Sequence, residues 1–253
     1  LWGLREVKYG WLMGHDWAST PWEELRLYSP FYLFIPYDGE PLERYQKFIS
    51  VPRIFPTNSV GIVTSRDRFV MDFDREALER RIRTFLDPSL PDDLVRRMFN
   101  LRDNRDWKMT QKRQRLREDK RWDEKITRCL YRPFDMRWLF YHPQAIDFGR
   151  PQVMRHLLAG ENLGLITVRQ VAEGVFNHAL VTNTIVESRV TLSNRGIAYC
   201  FPLYLYLDEH DLFNPKALGG REPNLNPRVV AALTAAHGRE PTPEEMFHYI
   251  YAV

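Results

Sequence analysis

Three extended segments decide the fold of this chain: LGLITVR (163–169), ALVTNTIVE (179–187) and YCFPLYLYL (199–207). The first two are rich in β-branched residues that roughly alternate with other types, and the third is aromatic and almost wholly apolar. Such compositions favour β-strands. Residues 162–207 therefore predict a sheet, and the rest of the chain is interpreted around it.

The connections between these segments are polar: QVAEGVFNH (170–178) and SRVTLSNRG (188–196). Their forked and amide side chains are the types that hydrogen-bond base edges or phosphates. Such loops at the edge of a rigid sheet form a recognition surface, and ordinary solvated loops are the competing interpretation. The candidate DNA contacts in this part of the chain are Arg169, Gln170, Asn177, Arg189, Asn194 and Arg195.

Positive charge is concentrated in a second segment. The net charge of the whole chain is only +3, but residues 102–128 carry eleven Lys or Arg against six Asp or Glu. A basic segment can neutralise DNA phosphates, whereas a solvated helix with internally paired charges is the alternative. The candidate contacts here are Lys112, Arg113, Arg115 and Arg117, and Arg66 and Arg68 in the turn of a predicted hairpin are added to them.

The composition is that of a globular protein. The 253 residues are 44% hydrophobic and 27% charged, which suits one large domain or two small ones. The longest uncharged runs fall short of the ~20 apolar residues of a membrane span, and the first ten residues carry charges where a signal peptide is apolar. Cys129 and Cys200 form no metal-binding pattern. We therefore expect a cytoplasmic protein without membrane partners.

Helices and strands alternate irregularly along the chain. The pattern predicts an α+β fold with a mixed, largely antiparallel sheet and flanking helices, arranged as one body or as two lobes. In the two-lobe version, residues 1–100 form an N-terminal lobe of helices with a β-hairpin at 59–73. A charged helix or linker follows at 101–124. Residues 125–253 form the recognition lobe, whose closing helices we expect to be truncated at the end.

The other elements follow from local signals. Asp74 and Thr242 are predicted helix N-caps, and Pro91 opens a helix. Further strands are predicted at 31–36, 125–131 and 137–141. Helices are predicted at 1–17, 41–49, 75–86, 91–100, 150–159, 226–237 and 243–253.

Motifs of catalysis are absent or incomplete. The sequence contains no HExxH, CxxC, GxSxG or glycine-rich phosphate loop. Pro91–Asp92 followed by Glu118 and Lys120 matches the loose pattern of metal-dependent nucleases, but each part is better explained as a helix start or as part of a charged helix. Residues 29–32 (SPFY) lack the second Pro of an amino-methyltransferase loop. We therefore expect this fragment to be no enzyme, with no catalytic or metal-binding residues.

Several strings occur together in a characteristic order: LWGLREVKY (1–9), SPFYLFIPYD (29–38), IFPTNSVGIVTSRDRF (54–69), LYRPFDMR (130–137), VMRHLLAGENLGLITVRQ (153–170), FPLYLY (201–206), NLNP (224–227) and IYAV (250–253). On these strings the chain resembles the C-terminal specificity region of type ISP restriction-modification enzymes. Thr64, Arg66, Asp67, Arg169 and Gln170 lie within them and could serve the scaffold or the DNA.

The resemblance implies a reader of double-stranded DNA sequence within a larger polypeptide. Enzymes of this family join a nuclease, an ATP-driven motor and an adenine-N6 methyltransferase to the specificity region, so the partners are DNA and the upstream domains. S-adenosylmethionine, ATP and Mg are expected for that parent enzyme, and no cofactor for this fragment. The alternatives are a structural coupling module that contacts only phosphates and, less favoured, a metal-dependent nuclease.

Overall fold

The computed structural model describes residues 5–25, 27, 32, 44–171, 177–191, 196–207 and 220–252. The chain divides into two compact units, residues 1–49 and 50–253. In the first unit, helix α1 (Arg5–Gly14) confirms most of the helix predicted at 1–17 and buries none of its side chains. Residues 44–46 are also helical, and the strand predicted at 31–36 lies outside the described residues except at position 32.

The second unit contains the sheets. Its helices are α2 (Val51–Ile54), α3 (Asp67–Val70), α4 (Arg75–Leu86), α5 (Asp92–Met98), α6 (Met109–Glu118), α7 (Pro151–Leu158), α8 (Pro227–His237) and α9 (Pro243–Ala252), with a 3-10 turn at Trp122–Lys125. Its strands are β1 (Ser59–Val60), β2 (Met71–Asp72), β3 (Ile126–Arg132), β4 (Asp135–Phe140), β5 (Gly164–Val168), β6 (Leu180–Thr182), β7 (Ile185–Val186), β8 (Ala198–Pro202), β9 (Tyr204–Tyr206) and β10 (Arg221–Pro223).

These strands form two four-stranded sheets and a ribbon. The first sheet has the order β1-β8-β5-β6, the second has the order β2-β4-β3-β7, and β9 pairs with β10. All pairings are antiparallel except that of β3 with β7. The predicted α+β class with mixed, largely antiparallel sheets and flanking helices is confirmed.

The predicted hairpin at 59–73 is wrong. β1 pairs with β8 in the first sheet, whereas β2 pairs with β4 in the second. The chain between them passes from one sheet to the other: Ile62 N–H donates to Val186 O, and Ser188 N–H donates to Ile62 O, both at 2.9 Å. Gly61 is required at this crossing, because a Cβ there would lie 2.7 Å from the backbone of Ser188.

Two of the three extended segments are interrupted. Residues 179–187 form β6 and β7, which belong to different sheets, because a turn held by Thr182 redirects the chain: the Thr184 N–H donates to Thr182 Oγ1 and the Thr182 hydroxyl donates to Thr184 O. Residues 199–207 break at Leu203, after which β9 pairs with β10. Residues 163–169 form β5 as predicted.

Strands from both predicted lobes share the same sheets. β1 and β2 come from residues 1–100, and their partners β8 and β4 come from residues 125–253. The segment expected to be a charged helix or linker contains α6, with Met109, Arg113 and Leu116 buried. The described part of 50–253 is therefore one compact unit, and its sheets do not divide at 101–124.

Local capping signals were more reliable. Asp74 caps α4 by accepting from Glu76 N–H. Thr242 and Glu245 form a reciprocal capping box at the start of α9, in which the Glu245 N–H donates to Thr242 Oγ1 and the Thr242 N–H donates to Glu245 Oε2. The predicted starts of these two helices are confirmed. Each start could be predicted because it depends on a contact within three residues.

Candidate nucleic-acid interface

The polar loops of the first sheet emerge at one edge. β5 and β8 are antiparallel and pair Val168 with Ala198, so the chain leaves β5 where it enters β8. The chain entering β6 lies beside them, because Leu180 pairs with Ile166. We call this edge the rim; its described residues are 169–171, 177–179, 187–191 and 196–197. The two loops that the sequence singled out therefore converge at one place.

Arg169 lies on this rim with its side chain exposed. Thr167 pairs with Tyr199, and Arg169, two residues further along, projects from the same face of the sheet. Its guanidinium carbon lies 5.4 Å from the centroid of the Tyr199 ring, which orients the side chain by a cation–π contact. Gln170 and Asn177 are also exposed on the rim.

Arg189 projects from a rigid turn. The carboxylate of Glu187, which is buried, accepts the Arg189 N–H at 2.8 Å and forms an ion pair with Arg132 at 2.7 Å. The next residue, Val190, is fully buried. The backbone of Arg189 is thus fixed on both sides, while its side chain remains exposed. Asn194 and Arg195, also predicted DNA contacts, lie outside the described residues.

Arg66 belongs to the scaffold. It is buried, its Nε donates to Ala145 O at 3.2 Å, and its guanidinium forms an ion pair with Asp147 and lies 4.1 Å from the Trp107 ring centroid. Burial alone would raise the pKa of Asp147, but hydrogen bonds from Ser65 and Arg66 lower it. A guanidinium committed in this way is not available to DNA, which corrects the prediction for Arg66.

Arg68, two residues further on, is exposed on α3 and forms no ion pair with a carboxylate of the described residues. It remains a candidate contact.

The predicted phosphate contacts on α6 divide into two pairs. Arg113 is 1% exposed, donates to the carbonyls of Phe85, Asp87 and Leu90, and forms an ion pair with Asp92. Arg117, half-buried, donates to the carbonyls of Leu86 and Asp87 at 2.9 Å.

The carbonyls of Phe85, Leu86 and Asp87 lie at the C-terminal end of α4, where the helix itself offers them no partners, and Leu90 lies in the loop that follows. Arg113 and Arg117 therefore cap α4. The burial of Arg113 corrects the prediction that it binds phosphate, whereas Arg117 is partly exposed and its phosphate contact stays a prediction. Arg115 is exposed and Lys112 partly so, and both remain candidates.

Comparison with known proteins shows which family the chain belongs to. The family model of the Type ISP C-terminal specificity domain matches residues 53–253. The chain belongs to this family. No curated protein matches it.

Two solved structures share the fold of this specificity domain. The cryoEM structure of a DrdV–DNA complex matches with a TM-score of 0.68 and 19% identity, over 98% of this chain and 25% of that one. The ATP-dependent Type ISP restriction-modification enzyme LlaBIII bound to DNA matches with a TM-score of 0.58 and 21% identity, over 78% of this chain and 13% of that one. The chain thus spans a quarter or less of these relatives.

One carboxylate of the nuclease-like pattern serves the scaffold of the specificity domain. Asp92 is paired with Arg113, and hydrogen bonds from Thr110 and Arg113 lower its pKa against the opposing effect of burial. Within the described residues, no group of three or more His, Cys, Asp or Glu side chains could hold a metal ion. Nor is any helix there long and apolar enough to cross a membrane.

Sequence reasoning missed a cluster of aromatic and arginine side chains at the turn between β3 and β4. The Arg137 guanidinium lies 4.5 Å from the Phe73 ring centroid and 4.0 Å from that of Tyr131, and the Arg132 guanidinium lies 3.8 Å from that of Tyr131. Phe134, at the turn itself, is 94% exposed. The alternation of aromatic residues with Arg in LYRPFDMR was the available signal.

Proposed function

We propose that this specificity domain recognises a sequence in double-stranded DNA on behalf of a larger restriction-modification polypeptide, and that it does so with the rim. The observation that carries the proposal is the strand register at Val168 and Ala198, which brings both polar loops to one edge. Membership in the family supports the function, and the two similar structures are complexes with DNA.

The side chains of the rim suit the reading of base edges. Arginine can place two donors on O6 and N7 of guanine, and Gln or Asn can pair with N6 and N7 of adenine. Arg169 and Arg189 are exposed on positioned backbone, and Gln170 and Asn177 lie beside them. We include Asn194 and Arg195 among the residues proposed to contact base edges, because both lie in the loop before β8. Each correct bidentate pair would discriminate against a wrong base by ~1–3 kcal/mol.

Phosphate contacts would fix the domain on the duplex without reading it. Arg68, Lys112 and Arg115 suit this role because Arg68 and Arg115 are exposed, Lys112 is partly exposed, and none of the three forms an ion pair with a carboxylate of the described residues. In the parent polypeptide, we propose that the domain directs an upstream adenine-N6 methyltransferase and ATP-driven motor. Those domains would use S-adenosylmethionine, ATP and Mg, and this fragment would itself neither methylate nor cut DNA.

Selection of bound sequences from a random duplex pool tests the proposal. The domain and its variants Arg169→Ala, Gln170→Ala and Arg189→Ala would be compared, each with a melting curve. Arg228→Ala is the matched control, because Arg228 is exposed at the start of α8, whose cap residue Asn226 hydrogen-bonds to the carbonyls of Arg53 and Ile54 in α2. We expect a variant of a true reader to lose preference at one base position and to keep its melting temperature.

Two results would contradict the proposal. If all three rim variants keep the parental sequence profile, the rim is not the reading surface. If the unaltered domain binds DNA without sequence preference, it is a coupling module that contacts only phosphates.

A further inference from the structure

Phe134 has an energetically unfavourable backbone conformation. Pro133 and Phe134 form the two-residue turn between β3 and β4, where Arg132 pairs with Asp135. Phe134 has a φ of +62°, in the left-handed region that residues with a Cβ adopt at an energetic cost. After a Pro, this second turn position is ordinarily filled by Gly or Asn. The backbone of the turn therefore favours a residue other than Phe.

The fold gains little from the ring in return. Phe134 is 94% exposed, so the ring contributes almost nothing to the hydrophobic core. A residue that strains the backbone and buries nothing is better explained by a contact outside the chain.

The surroundings of Phe134 place that contact beside the rim. Arg132, two residues away, forms the ion pair with Glu187, and the Glu187 carboxylate accepts the backbone N–H of Arg189. The turn at Phe134 and the turn at Arg189 are thus joined through two side chains. The proposed reading surface and the exposed ring lie next to each other.

The chemistry around the ring favours nucleic acid over a protein partner. The guanidinium groups of Arg132 and Arg137, which are paired with Glu187 and Asp135, flank the turn and lie over the Tyr131 ring, and Phe73, which is 67% exposed, extends the same cluster. Aromatic rings set among arginines are typical of surfaces that stack on bases. An anchor for a protein would instead be expected in a packed apolar pocket.

We propose that Phe134 is an apolar wedge that contacts the stacked bases of the bound duplex beside the rim. This inference rests on the proposed function, and it adds a contact that does not hydrogen-bond base edges. Wedges of this type unstack a base step and bend the duplex, which lets the protein contact more of it.

Phe134→Gly separates the wedge from the fold, because Gly adopts a positive φ without strain. We expect the variant to melt at the same temperature as the parent or higher, and to bind its preferred duplex about tenfold more weakly or worse. The base preferences set by the rim should remain. Tyr249→Ala is the matched control: it also removes an exposed ring, 66% exposed on α9, and should change neither property.

A fluorescent base analogue supplies a second measurement. With 2-aminopurine placed along the selected site, the parent complex should show increased fluorescence at one step, and the Phe134→Gly complex should not. Unchanged affinity and fluorescence in Phe134→Gly would overturn the wedge and leave the proposed function standing. A melting temperature lowered by several degrees would also overturn it, because the ring would then belong to the fold. If the unaltered domain does not bind DNA, the proposed function itself fails.

Discussion

Arg113 on α6 and Arg169 on the rim were both predicted to contact DNA, and their environments are opposite. Arg113 is 1% exposed and bonded to three carbonyls and a carboxylate, whereas Arg169 is exposed and touches the ring of Tyr199. The segment with the greater positive charge uses part of that charge internally. The segment with less charge presents its arginines on fixed backbone.

The difference shows that a run of cations does not by itself indicate a binding surface. Met109, Arg113 and Leu116 recur at helical spacing and form the buried face of α6. Arg115 lies between them in sequence and on the opposite face. An arginine that falls on the apolar side of a helical pattern should therefore be expected in the scaffold, where its five donors can cap a helix end.

The largest effect expected from this comparison is on stability. Arg113→Ala removes a buried guanidinium together with its ion pair to Asp92, whose side chain is 34% exposed, and leaves the carbonyls of Phe85 and Leu90 without this donor. We expect the free energy of unfolding to fall by about 2–4 kcal/mol, measured by urea denaturation.

Arg115→Ala is the matched control on the same helix and should change the free energy of unfolding by no more than about 0.5 kcal/mol. If the two variants were equally stable, Arg113 would not stabilise the end of α4.

Measuring the free energy of unfolding against pH should distinguish the contribution of His156, behind the first sheet, from that of Asp92, beside α6. His156 lies buried behind the first sheet, where its Nδ1 accepts the Tyr206 N–H at 3.0 Å. Burial, together with the charge of Arg155, lowers its pKa from 6.5 to about 4. Between pH 6.5 and 4, His156 therefore binds a proton in the unfolded chain but remains neutral in the folded chain. The free energy of unfolding should fall as the pH falls from about 6.5 to 4, by up to ~1.4 kcal/mol per pH unit.

The α6 region should respond at lower pH. The pKa of Asp92 is below 3.8, so the stability that this carboxylate contributes is present above that pH and is lost below it. His156→Asn should flatten the upper part of the titration, with a remainder from His142, whose pKa is also lowered by burial. Asp92→Asn should alter only the lower part. A full slope between pH 6.5 and 4 in His156→Asn would contradict this assignment.

The smallest effect concerns the exposed cations of α6. If Lys112 and Arg115 contact phosphates, replacing both with Gln should reduce the slope of log affinity against log salt by about 0.9 per contact. Over a fourfold range of salt this amounts to only about threefold per contact, equally for all sequences. Arg228→Gln is the control and should leave the slope unchanged. An unchanged slope in the double variant would mean that the exposed face of α6 is merely solvated.

Much of the local structure could be predicted because its causes are local. Asp74 and Thr242 act on N–H groups two or three residues away, and the β-branched segment at 163–169 forms β5 as its composition predicts. The hairpin at 59–73 failed because both of its arms are short and extended, and nothing in them says which distant strands they pair with. β1 depends on β8 and β2 on β4, more than sixty residues along the chain.

The candidate site divides in the same way. The sequence by itself determined the α+β class, the helix starts and the presence of two polar loops beside strands, because composition and short-range hydrogen bonding set these features. Tertiary structure alone decided that the loops meet at one edge and that Arg66, Arg113 and Arg117 serve the scaffold while Arg68, Arg115 and Arg169 are exposed and Lys112 is partly exposed. The physical reason is that a guanidinium has the same five donors in the scaffold and on the surface. Only long-range packing determines whether those donors bind carbonyls of the chain or face solvent, where a ligand such as DNA can accept from them.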